Sequence, residues 1–332
     1  MLDRLRQVLR GLWRRQRFLL QALRRGGPGG RWIVGRHEHD GVAKAFRLFL
    51  PPGERAGLPL LVMLHGCKQQ PEDFARGLRM DEHAAREGVA VLYPAQSPEA
   101  NELSCWNWFR PQHQQRGRGE PAWIASLTER ILHEHELDPA RVFIAGMSAG
   151  GAMAATMAAE YPALYAGVGI HSGLAPRAAL GVAQAIQVMK CGPGMAMVMP
   201  LPRTRHALLQ VPAIVFHGDQ DRTVHPHNGR AAIDACIAGH LGVGRPAELH
   251  GECPLGRRFT RSVWRDSRGH QVAEHWLVHG AAHAWSGGDP AGSWTDPLGP
   301  DASLEMLRFF LSLRGRQPRV ADDIGDLVQE GA

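Results

Sequence analysis

Residues 141–153 read Arg-Val-Phe-Ile-Ala-Gly-Met-Ser-Ala-Gly-Gly-Ala-Met, and this stretch limits the fold more than any other in the chain. The apolar run Val142 to Ala145 has the composition of a buried strand. Gly146-Met147-Ser148-Ala149-Gly150 fits G-x-S-x-G, and Ala152 to Glu160 is rich in helix formers. Strand, tight turn and helix therefore meet at one serine. The turn is so sharp that the residues two before and two after the serine must lack a side chain, and both are glycine. Ser148 Oγ then stands clear of the sheet, at the positive end of the following helix. The simpler alternative, a Gly/Ser loop entering an ordinary helix, leaves the preceding strand unexplained. A nucleophilic serine also needs a base, an acid that orients the base, and donors for an oxyanion.

The rest of the chain supplies a matching frame. Arg31 to His37 and Ala43 to Leu50 read as strands, the second closed by the turn signal Pro51-Pro52-Gly53. Apolar runs follow at 58–64, 89–93, 166–170 and 211–216, with a further strand at 272–278. Helical patterns occupy 71–87, 121–136, 226–238 and 302–313, the last behind the N-cap candidate Asp301. Strands alternating with helices predict an α/β fold, a mainly parallel central sheet with helices on both faces. Residues 31–314 are expected to form this one domain. Ala175 to Arg205 is longer than a crossover needs and carries Met189, Met195, Met197 and Met199. It reads either as a lid over the site or as a helix and loop packed with methionine for volume. Gly239 to Arg258, Gly-rich and holding Cys253, reads as a surface loop, and 315–332 as a polar tail.

Two further strand ends complete the candidate chemistry. Phe216-His-Gly-Asp-Gln-Asp-Arg-Thr-Val224 begins at the carboxyl end of an apolar strand, where α/β sheets place functional groups. Asp219 and Asp221 compete for the role of acid. Asp221 is preferred, because it lies slightly beyond the strand and can swing back toward an imidazole, while Asp219 suits the turn. After strand 272–278 comes His279-Gly-Ala-Ala-His-Ala-Trp285; His283 is in the loop, free to reach Ser148, and His279 lies nearer the strand end. The order Ser148, Asp221, His283, with gaps of 73 and 62 residues, is that of α/β-hydrolases. Leu64-His-Gly-Cys-Lys-Gln69 ends another strand. Its Cys67 N–H, with that of Ala149, is expected to receive the oxyanion.

Charge and cysteine count exclude other classes. The formal charge of +6 suggests nucleic acid, but residues 1–25 hold eight arginines and one aspartate, a net +7, so the body carries −1. Nucleic acid is therefore not an expected partner. In residues 1–25, Leu2, Leu5, Leu9, Leu12, Leu19 and Leu23 recur at helical spacing among the arginines. This basic amphipathic segment could lie on an anionic membrane surface, act as a targeting sequence, or dock on the body. Arg14, Arg15 and Arg17 interrupt the apolar stretch and no A-x-A site follows, so a secretory signal is not expected and a cytoplasmic or membrane-surface location is. Gly26-Gly-Pro-Gly-Gly30 is a linker. Five cysteines lack paired metal-ligand spacing, no run of 18 apolar residues exists, and the chemistry calls for no metal or organic cofactor.

Several motifs in order then carry a resemblance. Leu64-His-Gly-Cys-Lys-Gln69, Cys105-Trp-Asn-Trp-Phe109, Arg116-Gly-Arg-Gly-Glu-Pro121, Gly146-Met-Ser-Ala-Gly150, His217-Gly-Asp-Gln-Asp221, His283-Ala-Trp-Ser-Gly-Gly288 and Thr295-Asp-Pro-Leu-Gly-Pro-Asp-Ala-Ser303 resemble the esterase family of poly(3-hydroxybutyrate) depolymerases over about residues 40–312. The resemblance implies an α/β-hydrolase fold and carboxylic ester hydrolysis by Ser148, Asp221 and His283. Feruloyl and acetylxylan esterases belong to the same broad group, so they are the alternative substrates; a non-catalytic hydrolase-like binding protein is the alternative of another class. Members are often secreted, and this N-terminus departs from that pattern. Trp285, two residues from the base, is expected to line the substrate pocket; Trp106 and Trp108 either join it or serve packing. Because the motifs holding Cys67 and Cys105 should both border the oxyanion region, the two cysteines are expected close enough to form a disulfide.

Overall fold

The computed structural model describes residues 29–53, 56–193, 208–254 and 256–313. The amphipathic N-terminal segment, the C-terminal tail, and Met195, Met197 and Met199 of the expected lid lie outside the described residues. Strands β1 (Arg31–His39), β2 (Val42–Leu50), β3 (Leu60–Leu64), β4 (Ala90–Pro94), β5 (Val142–Met147), β6 (Gly167–His171), β7 (Ala213–Gly218), β8 (Ala247–Glu252), β9 (Arg258–Arg265) and β10 (Gln271–Val278) form one sheet. Their order is β1-β2-β4-β3-β5-β6-β7-β10-β9-β8. The six central strands from β4 to β10 pair in parallel, and antiparallel strands close both ends. All parallel strands therefore present their carboxyl ends along one edge.

Side-chain alternation divides the core between the two faces. Leu60, Val62 and Leu64 of β3 join one cluster with α3 (Gly119–Glu134), α4 (Ala149–Glu160), α5 (Val182–Cys191) and α6 (His227–Ala238). Leu61 and Met63 face the other cluster, with α1 (Pro71–Leu78), α2 (Met80–Glu87) and α7 (Ala302–Ser312). Both faces of β3 are covered, which explains its unbroken apolar sequence. Burying each leucine there contributes about 1.5–3 kcal/mol relative to exposure. The N-cap expected at Asp301 forms: its side chain accepts the Leu304 N–H.

Two expectations are corrected. The helical pattern 71–87 is two helices, because Arg79 takes a left-handed backbone (φ 55) between them. The Gly77 carbonyl near this break accepts the Asp289 N–H at 2.8 Å, docking the loop after β10 onto α1. The supposed surface loop 239–258 contains β8, and β9 follows at its end. β8 pairs on one side alone and is exposed along almost its whole length, so it has no apolar periodicity to reveal it. Among the described residues no helix is long and apolar enough to cross a membrane.

Candidate active site

Ser148 sits between β5 and α4 with φ 56 and ψ −119, a backbone conformation that L-residues adopt only under constraint. The constraint is visible on both sides. A Cβ on Gly146 would lie 2.5 Å from the Gly150 carbonyl carbon, and one on Gly150 would lie 2.0 Å from the Leu64 oxygen. Only glycine fits at either place. The Ser148 N–H is held by the His171 carbonyl at 2.9 Å, and its own carbonyl accepts from Ala152 N–H at 3.0 Å. Small side chains let α4, which is buried throughout, lie close on the sheet.

The end of β3 lies beside this turn: a Cβ on Gly66 would be 3.6 Å from Ser148 Cβ. The neighbouring loop is braced so that its amides keep their direction. Gly66 N–H donates to Gln69 Oε1 (2.9 Å), and Lys68, at φ 62, donates its N–H to Leu103 O (2.7 Å). Among the described residues neither the Cys67 nor the Ala149 N–H has an acceptor. The latter is the first amide of α4, which has no acceptor within the helix. Cys67 and Cys105 form the expected disulfide, with Cα atoms 4.2 Å apart. Behind it, Gln96 Oε1 accepts from Lys44 Nζ (2.7 Å), and the Gln96 N–H donates to His65 Nε2 (3.0 Å). Glu120 accepts from Gln96 and from the Asn107 backbone and side chain. Burial pushes the His65 imidazole down to about 4, so this histidine is neutral at pH 7 and acts as a brace.

Asp221 follows β7 and His283 follows β10, and the structure joins them directly. His283 Nδ1 donates to Asp221 Oδ2 at 2.7 Å; the acceptor-only carboxylate assigns the proton to Nδ1 and leaves Nε2 as an acceptor. The other carboxylate oxygen accepts backbone N–H groups from Thr223 (2.9 Å) and Val224 (2.8 Å). Burial works to raise the Asp221 pKa. The hydrogen bonds from His217 and His283 outweigh it and hold the carboxyl well below the usual range. Asp219 is occupied elsewhere, accepting from His279 Nδ1 (2.9 Å) and Gly280 N–H (2.7 Å) across the turn.

The Ser148 turn and the loop that carries His283 are both tied to His171, which sequence reasoning passed over. This buried residue ends β6, between the strands that carry Ser148 and Asp221. Its carbonyl holds the Ser148 amide, its Nε2 accepts the Ser286 N–H (3.0 Å), and its ring stacks on Trp285 with centroids 4.6 Å apart. Burial, then the neighbouring His217 and His283, keep it far below the usual histidine range, hence neutral. An apolar strand ending in histidine was its only signal. Among the described residues Ser148 Oγ has no hydrogen-bond partner.

The aromatic expectations need correction. Trp285 does not line a pocket: it is 1% exposed, edge-on to Phe74 at 5.9 Å, with its indole N–H donating to Ser303 Oγ. Trp106 and Trp108 are buried as well, the first beneath the Lys44 ammonium and the second edge-on to Phe109. Two residues after His283, the Trp285 ring packs in the core against Phe74 and His171. The exposed indole at this edge is Trp294, whose ring centroid is 6.2 Å from that of His283. A cavity of ≈ 360 Å³ lined by Trp32, Arg47, Arg76, Arg79, Asp81 and Asp289 contains none of the reacting candidates. Among the described residues no group of three or more His, Cys, Asp or Glu side chains could hold a metal ion.

The Esterase PHB depolymerase family model matches residues 44–237, more than half of the chain. The chain belongs to this family. The matched region is a serine esterase domain. Poly(3-hydroxyalkanoate) depolymerase C of Paucimonas lemoignei is 29% identical over 240 residues, covering 70% of this chain and 56% of that protein. Feruloyl esterase B of Thermothelomyces thermophilus is 26% identical over 237 residues, covering 66% and 77%. Poly(3-hydroxybutyrate) depolymerase of Ralstonia pickettii is 25% identical over 260 residues, covering 74% and 50%. The chain thus spans about half the length of the depolymerases it matches. An acetyl xylan esterase from Aspergillus awamori superposes with a TM-score of 0.66 at 17% identity, over 85% of this chain and 100% of that one. The fold is that of an α/β-hydrolase.

Proposed function

We propose that this esterase cleaves hydroxyalkanoate oligomers or short acyl esters through an acyl-enzyme built on Ser148, His283 and Asp221. The observation that carries the reading is the buried Asp221–His283 hydrogen bond at the sheet edge that also presents the strained Ser148 turn. Ser148 Oγ attacks the ester carbonyl carbon while His283 Nε2 takes its proton. The carbonyl oxygen becomes an oxyanion facing the Cys67 and Ala149 amides. Collapse breaks the bond to the alcohol oxygen, which receives the proton from His283. Water then repeats the sequence on the acyl-Ser148 ester and releases the acid. Asp221 holds the imidazole tautomer and stays ionised beside the imidazolium.

The two depolymerase relatives support hydroxyalkanoates, and the feruloyl esterase relative is the reason to test the alternative. A feruloyl ring would need a flat slot. Trp106 and Trp285, the pair that could have formed one, are both buried, which favours the first reading. Purified protein should react with a fluorophosphonate and hydrolyse 4-nitrophenyl esters with kcat/KM rising from acetate to butyrate by about four-fold per CH₂ at most. Hydroxybutyrate oligomers should be cleaved. Preference for methyl ferulate with no oligomer cleavage would transfer the assignment to the feruloyl esterases, and a protein inert to the probe and to all esters would be a binding protein on this fold.

A further inference from the structure

We propose that Trp294 forms the wall of the leaving-group subsite and selects esters whose alcohol portion offers an apolar, flat face. The inference rests on the proposed triad and adds to it a residue that the chemistry itself does not require. Trp294 is 48% exposed, and its ring stands edge-on to that of His283, at 6.2 Å and 73°. His283 must deliver its proton to the alcohol oxygen. The oxyanion amides belong to the loop after β3 and to α4, on the Ser148 side, so the surface flanking the imidazole meets the alcohol rather than the carbonyl oxygen.

The backbone that carries this indole is held in place. Trp294 has φ 57, a conformation unfavourable for a bulky residue and maintained only where surrounding contacts enforce it. Its carbonyl accepts the Trp285 N–H at 2.7 Å, inside the short parallel pairing of β11 (Trp285–Ser286) with β12 (Thr295–Asp296). The preceding Ser293 is held by two side chains. Its N–H donates to Asp73 Oδ1 (3.0 Å), its hydroxyl donates to Asp73 Oδ2, and its carbonyl accepts from Gln69 Nε2 (3.2 Å). Gln69 is the same side chain that holds the Gly66 N–H. One glutamine therefore ties the loop after β3 to the backbone that carries the indole. A backbone anchored this way orders the wall before substrate binds, which reduces the conformational freedom lost on binding.

The test compares kcat/KM for benzyl butyrate and methyl butyrate, a ratio in which the common acyl group cancels. Trp294→Ala should lower the benzyl-to-methyl ratio by about tenfold, while Trp294→Phe should keep it near the wild-type value. Trp294→Gly removes the ring and also suits the positive φ, so it should reproduce the alanine result even if alanine disturbs folding. The acetate-to-butyrate trend of 4-nitrophenyl esters should persist in all three. An unchanged ratio in Trp294→Gly, or a flattened acyl trend with the ratio intact, would overturn the subsite. Wild-type protein that neither reacts with a fluorophosphonate nor cleaves any ester would instead remove the underlying triad.

Discussion

Two aspartates, two histidines and two tryptophans meet where β7 and β10 end, and burial separates each like pair. Asp221 and His283 are joined at 2.7 Å with side chains 0% and 9% exposed, whereas Asp219 and His279 are joined at 2.9 Å with side chains 30% and 33% exposed. Trp285 is in the core and Trp294 faces solvent. The hydrogen-bond chemistry of the two Asp–His pairs is nearly the same. What differs is the medium: an ion pair near water is screened and contributes little, while a buried carboxylate with four donors around it can govern an imidazole.

The comparison bears on catalysis only if the buried pair serves Ser148, so the largest effect is the first test. Under the proposed mechanism Ser148→Ala should lose on the order of 10⁶ in kcat on a 4-nitrophenyl ester, with the circular dichroism spectrum retained. Near wild-type turnover would leave both Asp–His pairs as structural features. Next comes the contrast between the pairs themselves. Asp221→Asn should lower kcat by roughly 10⁴ through the wrong imidazole tautomer, and Asp219→Asn should stay within a few-fold because it touches only the turn at His279 and Gly280. The reverse ranking would mean that exposure had been misread as a guide to role.

For the tryptophans the same contrast is one of stability. Trp285→Ala removes a buried ring, its bond to Ser303 and its stack on His171, and should cost about 3–5 kcal/mol in urea unfolding. Trp294→Ala, at the surface, should change it by about 0.5 kcal/mol or less. Equal losses would place both rings in the core and would weaken the case for Trp294 as a substrate contact.

How much of this arrangement can be read without coordinates depends on range. Ser148, its flanking glycines and the parallel sheet follow from local pattern, because the turn's steric demands are written in adjacent residues. That Asp221 rather than Asp219 meets His283 is also legible, from position relative to the strand end. Trp285 is not. Its fate depends on which way one residue of the loop points, and the contacts that decide it, with Phe74 and His171, come from 211 and 114 residues away in the chain. His171 escapes for a related reason, because it links the Ser148 turn to the loop after β10; Trp294 escapes because its place depends on the backbone bonds of its neighbour Ser293 to Asp73 and Gln69, more than 200 residues away. The strand β8 escapes because an exposed edge needs no apolar pattern.

The smallest effect tests the electrostatic half of the comparison. Both aspartates are held below the usual carboxyl value. Burial pushes each upward, and hydrogen bonds outweigh it, from His217 and His283 at Asp221 and from His279 and Gly280 at Asp219. An acid whose pKa is lower folded than unfolded binds more protons when unfolded, so its stabilisation is complete above the unfolded value, about 4, and is lost as pH falls through the folded value. The wild-type advantage over Asp221→Asn in urea midpoint should therefore be full at about pH 7 and shrink as pH falls below about 4. For Asp219→Asn the advantage should be small at every pH, since solvent screens a side chain that is 30% exposed. An Asp221 advantage that grew on acidification would show that this carboxyl is protonated in the folded protein near neutrality, and it could then no longer serve as the anion that steadies the His283 imidazolium.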